Sequence, residues 1–282
     1  MKTHCKKTVR LPVLFPALLL VCCFLFAGCG RLSRGSAEED SEGTKTQMAE
    51  LPPAAPAMGI GRVMPGIVTQ REELILIDPG HGFGDPGNGD AEQSYWRDIG
   101  VCERDITIVV ARMLDEELQK RGFRTAMTHD GETLPADFNY DWNDRFNPDE
   151  RAACINYISP DYMVSLHVNS AENQSACGAI VFYNLTSQMK WNDWSKPEAE
   201  AIARAIDDYV MISAPTKAGS EVDYWFASYA VTRDTHAAGC LIEMGYATNE
   251  VDAENMLNED WQRSMAEGIA EGIKRFFDSK ED

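Results

Sequence analysis

The chain has 282 residues, with 26 Lys and Arg against 45 Asp and Glu, and a formal net charge of −19. That balance excludes a nucleic-acid binder and excludes charge-driven adhesion to anionic lipid. An anionic polymer would also gain no long-range attraction, so such a substrate must be captured by local contacts.

Lys2, Lys6, Lys7 and Arg10 precede an apolar segment from Leu11 to Phe26, which ends in the small pair Ala27-Gly28. A basic start, an apolar centre and small closing residues, in that order, are the marks of a secretory signal over residues 1–28. Phe26-Ala-Gly-Cys29 resembles the bacterial lipoprotein box, which implies lipidation of Cys29. The chain is then expected to be exported and held at the membrane of the cell envelope through its amino-terminal lipid. An uncleaved single-span anchor is the alternative, although the apolar stretch is short against the roughly 20 residues of a span. Residues 29–71 contain Gly, Ser, Glu, Thr and the run Leu51-Pro-Pro-Ala-Ala-Pro56. Little there can pack, so they read as a flexible tether.

Residues 72–279 remain as one domain. Leu74 to Ile77 is a turn-bounded apolar run, the pattern of a strand covered on both faces. Asp105 to Arg121 has helical spacing, with Ile106, Val109, Val110, Met113, Leu114 and Leu118 on one side and Gly122 as the stop. Phe123 to Thr128 predicts a strand. Asn147-Pro-Asp-Glu150 opens a helix with a capping residue, Pro at its first position and acids in the first turn, and that helix ends before Pro160. Strands follow at 162–168 and 178–184, a helix at 197–211, a strand at 239–244 and an amphipathic helix at 261–277. The alternation predicts an α/β fold, a single three-layer domain with a mostly parallel, roughly six-stranded sheet and helices on both faces.

Functional residues collect beyond the carboxyl ends of such strands. His81 follows the first apolar run, His167 ends the run from Tyr162, and Glu243 ends the run Cys240-Leu-Ile242. Two imidazoles and a carboxylate at strand ends are sufficient for the core of a hydrolytic zinc site, which takes about three protein ligands and leaves a position open. A buried Glu243 is costly unless it is paired or linked to a metal. His129 and His236 follow no such strand and stay outside the shell. Gly80 to Gly89 lacks the lysine of a phosphate loop, and its glycines suit a close backbone approach. Cys102, Cys154, Cys177 and Cys240 show no thiolate-zinc spacing, and buried thiols or disulfides both stay open.

Four segments resemble, in order, the zinc-dependent N-acetylmuramoyl-L-alanine amidases of the type-3 catalytic domain. They are Ile77-Asp-Pro-Gly-His-Gly82 with Asp85-Pro-Gly87, Glu103-Arg-Asp-Ile106, Glu150-Arg-Ala-Ala153 with Ser165-Leu-His-Val-Asn-Ser170, and Thr232-Arg-Asp-Thr235 with Cys240-Leu-Ile-Glu-Met-Gly-Tyr246. The resemblance implies one Zn2+ per domain held by His81, Glu103 and His167, with Glu243 as general base and acid. Glu103 enters through this resemblance alone, since by position it is a helix-start acid. Arg233 is implied as a catalytic residue and Asn169 as a substrate contact, with a surface ion pair the alternative for Arg233. The implied reaction cleaves the amide between N-acetylmuramic acid and the L-alanine of the stem peptide. The expected partners are peptidoglycan and, through the amino-terminal lipid, the membrane, with the chain acting as a monomer; the sequence does not identify an activator. A zinc peptidase acting on stem peptides, or a non-catalytic wall-binding lipoprotein, are the alternatives. Residues 88–101 and 131–149 exceed the family's usual lengths, and their aromatics Tyr95, Trp96, Phe138, Tyr140, Trp142 and Phe146 either line a groove or form a local cluster.

Overall fold

The computed structural model describes residues 71–88, 94–135, 138, 146–183, 192–210, 217–218 and 229–281. The expected signal, Cys29 and nearly all of the tether lie outside these residues, as do Tyr140 and Trp142. Strands β1 (Leu74–Pro79), β2 (Arg124–Met127), β3 (Tyr162–Asn169), β4 (Ile180–Tyr183), β5 (Lys217–Ala218) and β6 (Ala238–Tyr246) form one sheet in the order β2-β1-β3-β6-β4-β5. Five strands have four residues or more, and β5 is a two-residue edge. Pairing is parallel except between β4 and β6, which run antiparallel.

The helices are α1 (Glu103–Lys120), α2 (Pro148–Ile158), α3 (Asn192–Tyr209), α4 (Ala230–Arg233), α5 (Glu250–Met256) and α6 (Glu259–Glu281). Every residue of β1 is buried, as its unbroken apolar run requires of a strand covered on both sides. Its side chains divide by parity. Ile75 and Ile77 share a core with Leu114 of α1, Ile202 and Ile206 of α3 and Ile269 and Ile273 of α6. Leu74 and Leu76 pack on the other face with Ile155 and Ile158 of α2. Two cores, one on each face of the sheet, give the three layers. Among the described residues no helix is long and apolar enough to cross a membrane.

Some boundaries differ from expectation. α3 starts at Asn192, so Pro197 stands inside the helix rather than at its head. The short helices α4 and α5 have too few residues to show a period. Asn147 caps α2 as its sequence predicts, accepting from the Asp149 and Glu150 amides at 2.9 and 3.0 Å while Glu150 returns a bond to the Asn147 amide. Trp96 is 1% exposed and donates its indole N–H to the Ala253 carbonyl at 3.1 Å. Trp96 is therefore core, whereas Tyr95 beside it is 44% exposed.

Candidate active site

β1, β3 and β6 end at the same rim of the sheet, and three of the expected residues meet there. His81 sits just past β1 with φ +64°, a left-handed conformation that is strained for a residue with a Cβ. That conformation turns its ring toward Glu103, with Nε2 at 3.2 Å from Oε1. The other ring nitrogen, Nδ1, lies 2.9 Å from Asp85 Oδ2, and this bond fixes the imidazole from behind. His167, on β3, places Nδ1 3.0 Å from the same Glu103 oxygen. The two rings stand edge to face, their centres 5.0 Å apart. One ligand atom from each of His81, Glu103 and His167 falls within 4.8 Å of the others.

Backbone architecture makes this convergence possible. Gly80 donates its amide to the Leu166 carbonyl at 2.7 Å, and a Cβ there would come within 2.7 Å of the His167 ring. Gly87 has φ +67°, and a Cβ on it would lie 2.6 Å from His81 Cδ2 and 2.7 Å from Glu103 Oε2. Both positions need glycine because the loop passes directly beside the ligand side chains. The Glu103 carboxylate also accepts the Val168 amide at 2.8 Å and the Asn88 amide at 2.9 Å. Asn88 is in turn tied by its side chain to the Val168 carbonyl at 2.6 Å.

Beneath His167 lies a buried ion pair whose role the motifs did not disclose. Asp78 is fully buried and Arg151 is 3% exposed. Arg151 donates Nε to Asp78 Oδ1 at 3.0 Å and Nη2 to Oδ2, while Thr128 and Ser165 donate their hydroxyls to the same carboxylate at 2.7 Å each. The same Nη2 reaches His167 Nε2 at 3.1 Å. A guanidinium only donates, so Nε2 accepts, and the ring proton sits on Nδ1 facing Glu103. A cation held by His167 would take the place of that proton, and Asp78 and Ser165 would remain as acceptors for the guanidinium. Asp-Pro-Gly-His and Glu-Arg-Ala-Ala contain Asp78 and Arg151 in plain view, but nothing local says that they pair.

Glu243 on β6 is the Cα partner of His167 across the parallel pair of β3 and β6, so both side chains leave the same face of the sheet. It is 8% exposed, and among the described residues its Oε2 meets no hydrogen-bond partner. It borders a cavity of about 770 Å³ together with His81, Glu103, His167, Asn169 and Tyr229. Tyr229, just before α4, drew no attention in the sequence, because a lone Tyr there carries no motif. Asn169 also lines the cavity, with its Oδ1 taken by the Ser170 amide at 2.8 Å.

The structure does not bring Arg233 to this cavity. Its guanidinium grips Asp234 at 2.8 and 2.5 Å with 42% of the side chain exposed, so the surface ion pair holds it instead. Cys102 caps α1, giving its thiol to Asp105 at 3.0 Å, and it is no part of the ligand cluster. All of the described cysteines are free thiols. His129 lies outside the shell as expected, donating Nε2 to the Pro79 carbonyl at 2.9 Å and accepting the Gly131 amide at Nδ1 at 3.1 Å.

The electrostatics divide the two carboxyls. Burial alone would raise Glu103, but hydrogen bonds and charge from His167 and His81 overcome it, leaving the carboxyl well below the ordinary range. Burial raises Glu243, and the Glu103 charge raises it further, so that carboxyl sits well above the ordinary range. Burial would depress His81, yet the carboxylates of Glu103 and Asp85 raise it. Burial lowers His167, and the Arg151 charge adds to it against the Glu103 hydrogen bond. Two imidazole nitrogens and an ionised carboxylate, with an unpartnered carboxyl facing the same space, fit a small divalent cation with an open coordination position.

A family model described as N-acetylmuramoyl-L-alanine amidase matches residues 75–275. A Staphylococcus epidermidis protein named "Probable cell wall amidase LytH" is 27% identical over 210 residues, 73% of this chain and 59% of that protein. The chain thus spans less than two thirds of that relative's length. A germination-specific N-acetylmuramoyl-L-alanine amidase of Bacillus subtilis is 26% identical over 215 residues, 74% of this chain and 82% of its own. The solved N-acetylmuramoyl-L-alanine amidase from Clostridium difficile 630 superposes with a TM-score of 0.59 at 26% identity, covering 74% of this chain and 98% of its own. With its motifs in family order, its ligand trio assembled at one sheet rim and most of its length matched, the chain belongs to the N-acetylmuramoyl-L-alanine amidase family.

Proposed function

We propose that this chain is an exported, zinc-dependent peptidoglycan hydrolase that cleaves the amide between N-acetylmuramic acid and the L-alanine of the stem peptide. The observation that carries the reading is the Glu243 carboxyl, buried without a partner at its Oε2 and registered beside His167 on the adjoining strand. His81, Glu103 and His167 would hold the ion. Zinc, when bound there, supplies Lewis acidity that polarises the scissile carbonyl and acidifies water. Glu243 accepts the proton of the attacking water and delivers it to the departing amine. Burial raises this carboxyl, and the charge of a zinc ion beside it would oppose that rise, so that it could begin ionised, take the proton and pass it on. Asn169, whose Oδ1 is already engaged, offers its amide N–H groups to substrate in the cavity. Arg233, outside the cavity lining and paired with Asp234 at the surface, is given no step here. The Phe26-Ala-Gly-Cys29 segment supports lipidation at Cys29 and anchoring at the envelope, with residues 29–71 as the tether.

Purified protein incubated with defined muropeptides tests the assignment by mass spectrometry. Products are expected to be glycan with a free lactyl carboxylate and an intact peptide beginning in alanine, and a chelator is expected to stop their formation. Glu243→Gln should retain metal while losing at least about 10²-fold in rate, the usual span of general acid–base catalysis. His167→Ala should lose both metal and activity. A shortened peptide would mean a peptidase, and binding to sacculi without any mass change would mean a capture protein.

A further inference from the structure

The turn that presents His81 is strained along its length. His81, Gly82 and Phe83 all have positive φ, at +64°, +120° and +49°, and His81 and Phe83 each have a Cβ that disfavours it. Side chains persist in such a conformation only when their surroundings impose it. Part of the support comes from α1. Thr107 donates its hydroxyl to the Gly80 carbonyl at 2.8 Å, and Arg104 donates Nη1 to the Phe83 carbonyl at 2.7 Å. Gly82 and Asp85 also exchange amide bonds across the turn at 3.0 and 2.9 Å. The remaining support is packing.

Three rings supply it. Gly82 lies directly against His129, so that a Cβ there would come within 2.6 Å of the imidazole. His129 is held at both ring nitrogens, by the Pro79 carbonyl and the Gly131 amide. Phe83, His129 and Phe146 close a triangle around it, with ring centres 5.4, 5.8 and 5.9 Å apart. Phe146 meets both partners edge to face, at 90° to His129 and 86° to Phe83. Phe146 and His129 are each 1% exposed, so their contact is closed to solvent. None of the three rings belongs to a motif segment. Phe146 stands immediately before Asn147, the cap of α2. The head of that helix therefore backs both histidine ligands, His81 through the rings and His167 through Arg151.

We propose that Phe146, with Phe83 and His129, is a positioning residue for the metal site: the ring trio keeps the metal-free turn in the left-handed form that aims His81 at Glu103. The proposal rests on the metal-binding part of the reading above. An ion needs His81 in place, so its apparent affinity scales with the fraction of molecules in which the empty turn has not relaxed. Phe146→Leu keeps most of the apolar volume and removes the ring edges. One aromatic pair of this geometry shifts an equilibrium by up to about tenfold, and Phe146 makes two.

Zinc competition against a metal-sensitive dye reads affinity, and hydrogen exchange in chelator reads the empty turn through the Gly82 and Asp85 amides. Phe146→Leu should bind zinc roughly tenfold more weakly and exchange those two amides faster. At saturating zinc it should hydrolyse muropeptide at the parent kcat, a split that general damage to the fold would not produce. Ile158→Ala, in the same core but at the far end of α2, is the control for lost stability and should leave zinc affinity and exchange at the turn unchanged. Phe83→Leu should act like Phe146→Leu, and because Phe83 is only half-buried it decides the matter if Phe146→Leu does not fold. Parent-like affinity or parent-like exchange in the ring variant, or an equal loss in Ile158→Ala, overturns the proposal. If the parent binds no zinc, the metal reading fails and exchange alone decides: faster exchange in the ring variant upholds the cradle, and parent-like exchange overturns it. Ring-dependent zinc binding without hydrolysis upholds the cradle and overturns the amidase reading.

Discussion

Replacing Arg151 by Met isolates what the buried ion pair contributes. Asp78 has no solvent contact, and four donors surround its carboxylate: Nε and Nη2 of Arg151 and the hydroxyls of Thr128 and Ser165. Without the guanidinium, a full negative charge remains in the core with two neutral donors. Leaving one member of a buried pair uncompensated costs roughly 3–5 kcal/mol. For a domain of this size that lowers the melting temperature by about 6–20 °C. The pH dependence gives the sharper signature. In the parent protein burial would raise Asp78, but Arg151 and the hydroxyls outweigh it and hold the carboxyl below the ordinary range. Its stabilisation is therefore present above the unfolded pKa and lost as pH falls through the folded one. In Arg151→Met burial acts against hydroxyls alone, so the folded pKa rises above the unfolded value and the sign reverses. The gap between the variant and the parent protein should therefore narrow as pH falls from 7 toward 5. Asp78→Asn added to Arg151→Met should recover at least half of the loss, since it removes the stranded charge. Urea unfolding of the three variants and the parent at both pH values, in chelator, measures this. A penalty below about 1 kcal/mol, or one equal at pH 7 and pH 5, would refute the reasoning.

Burial, the dominant cause, depresses the His129 imidazole from 6.5 to about 4. The unfolded chain binds that proton first, so stability is full above pH 6.5 and falls by roughly 3 kcal/mol on descending to pH 4. An NMR titration placing His129 near its free value would contradict this. Gly80→Ala would press a methyl against the Leu166 carbonyl and to within 2.7 Å of the His167 ring, so the strand end that holds the ring must shift. The expected loss of metal affinity is roughly 10–100-fold, as for other groups that orient a ligand. Competition against a metal-sensitive dye reads it, and parent-like affinity would show that the ring moves aside freely.

The strands that build the site announced themselves. The runs at Leu74, Tyr162 and Cys240 are apolar but for Ser165 because both faces of their sheet are covered, and no alternation survives in a strand with two cores. Their ends drew attention to His81, His167 and Glu243 because a polar group closing such a run must find water, a partner or an ion. Glu103 was different. Locally it is a favourable acid in the first turn of α1, and only the approach of two histidines from distant strands makes it a ligand. The antiparallel β4 and the burial of Trp96 were equally unreadable, because each depends on which segment becomes a neighbour rather than on its own pattern. Periodicity along a chain reports how many faces of a segment are buried, so the layers of the sheet and the residues at its rim follow from local pattern. The partner of each rim residue, with its charge and its protonation, was decided only by tertiary structure, because burial and Coulomb interaction act through space between groups as far apart in the chain as Asp78 and Arg151.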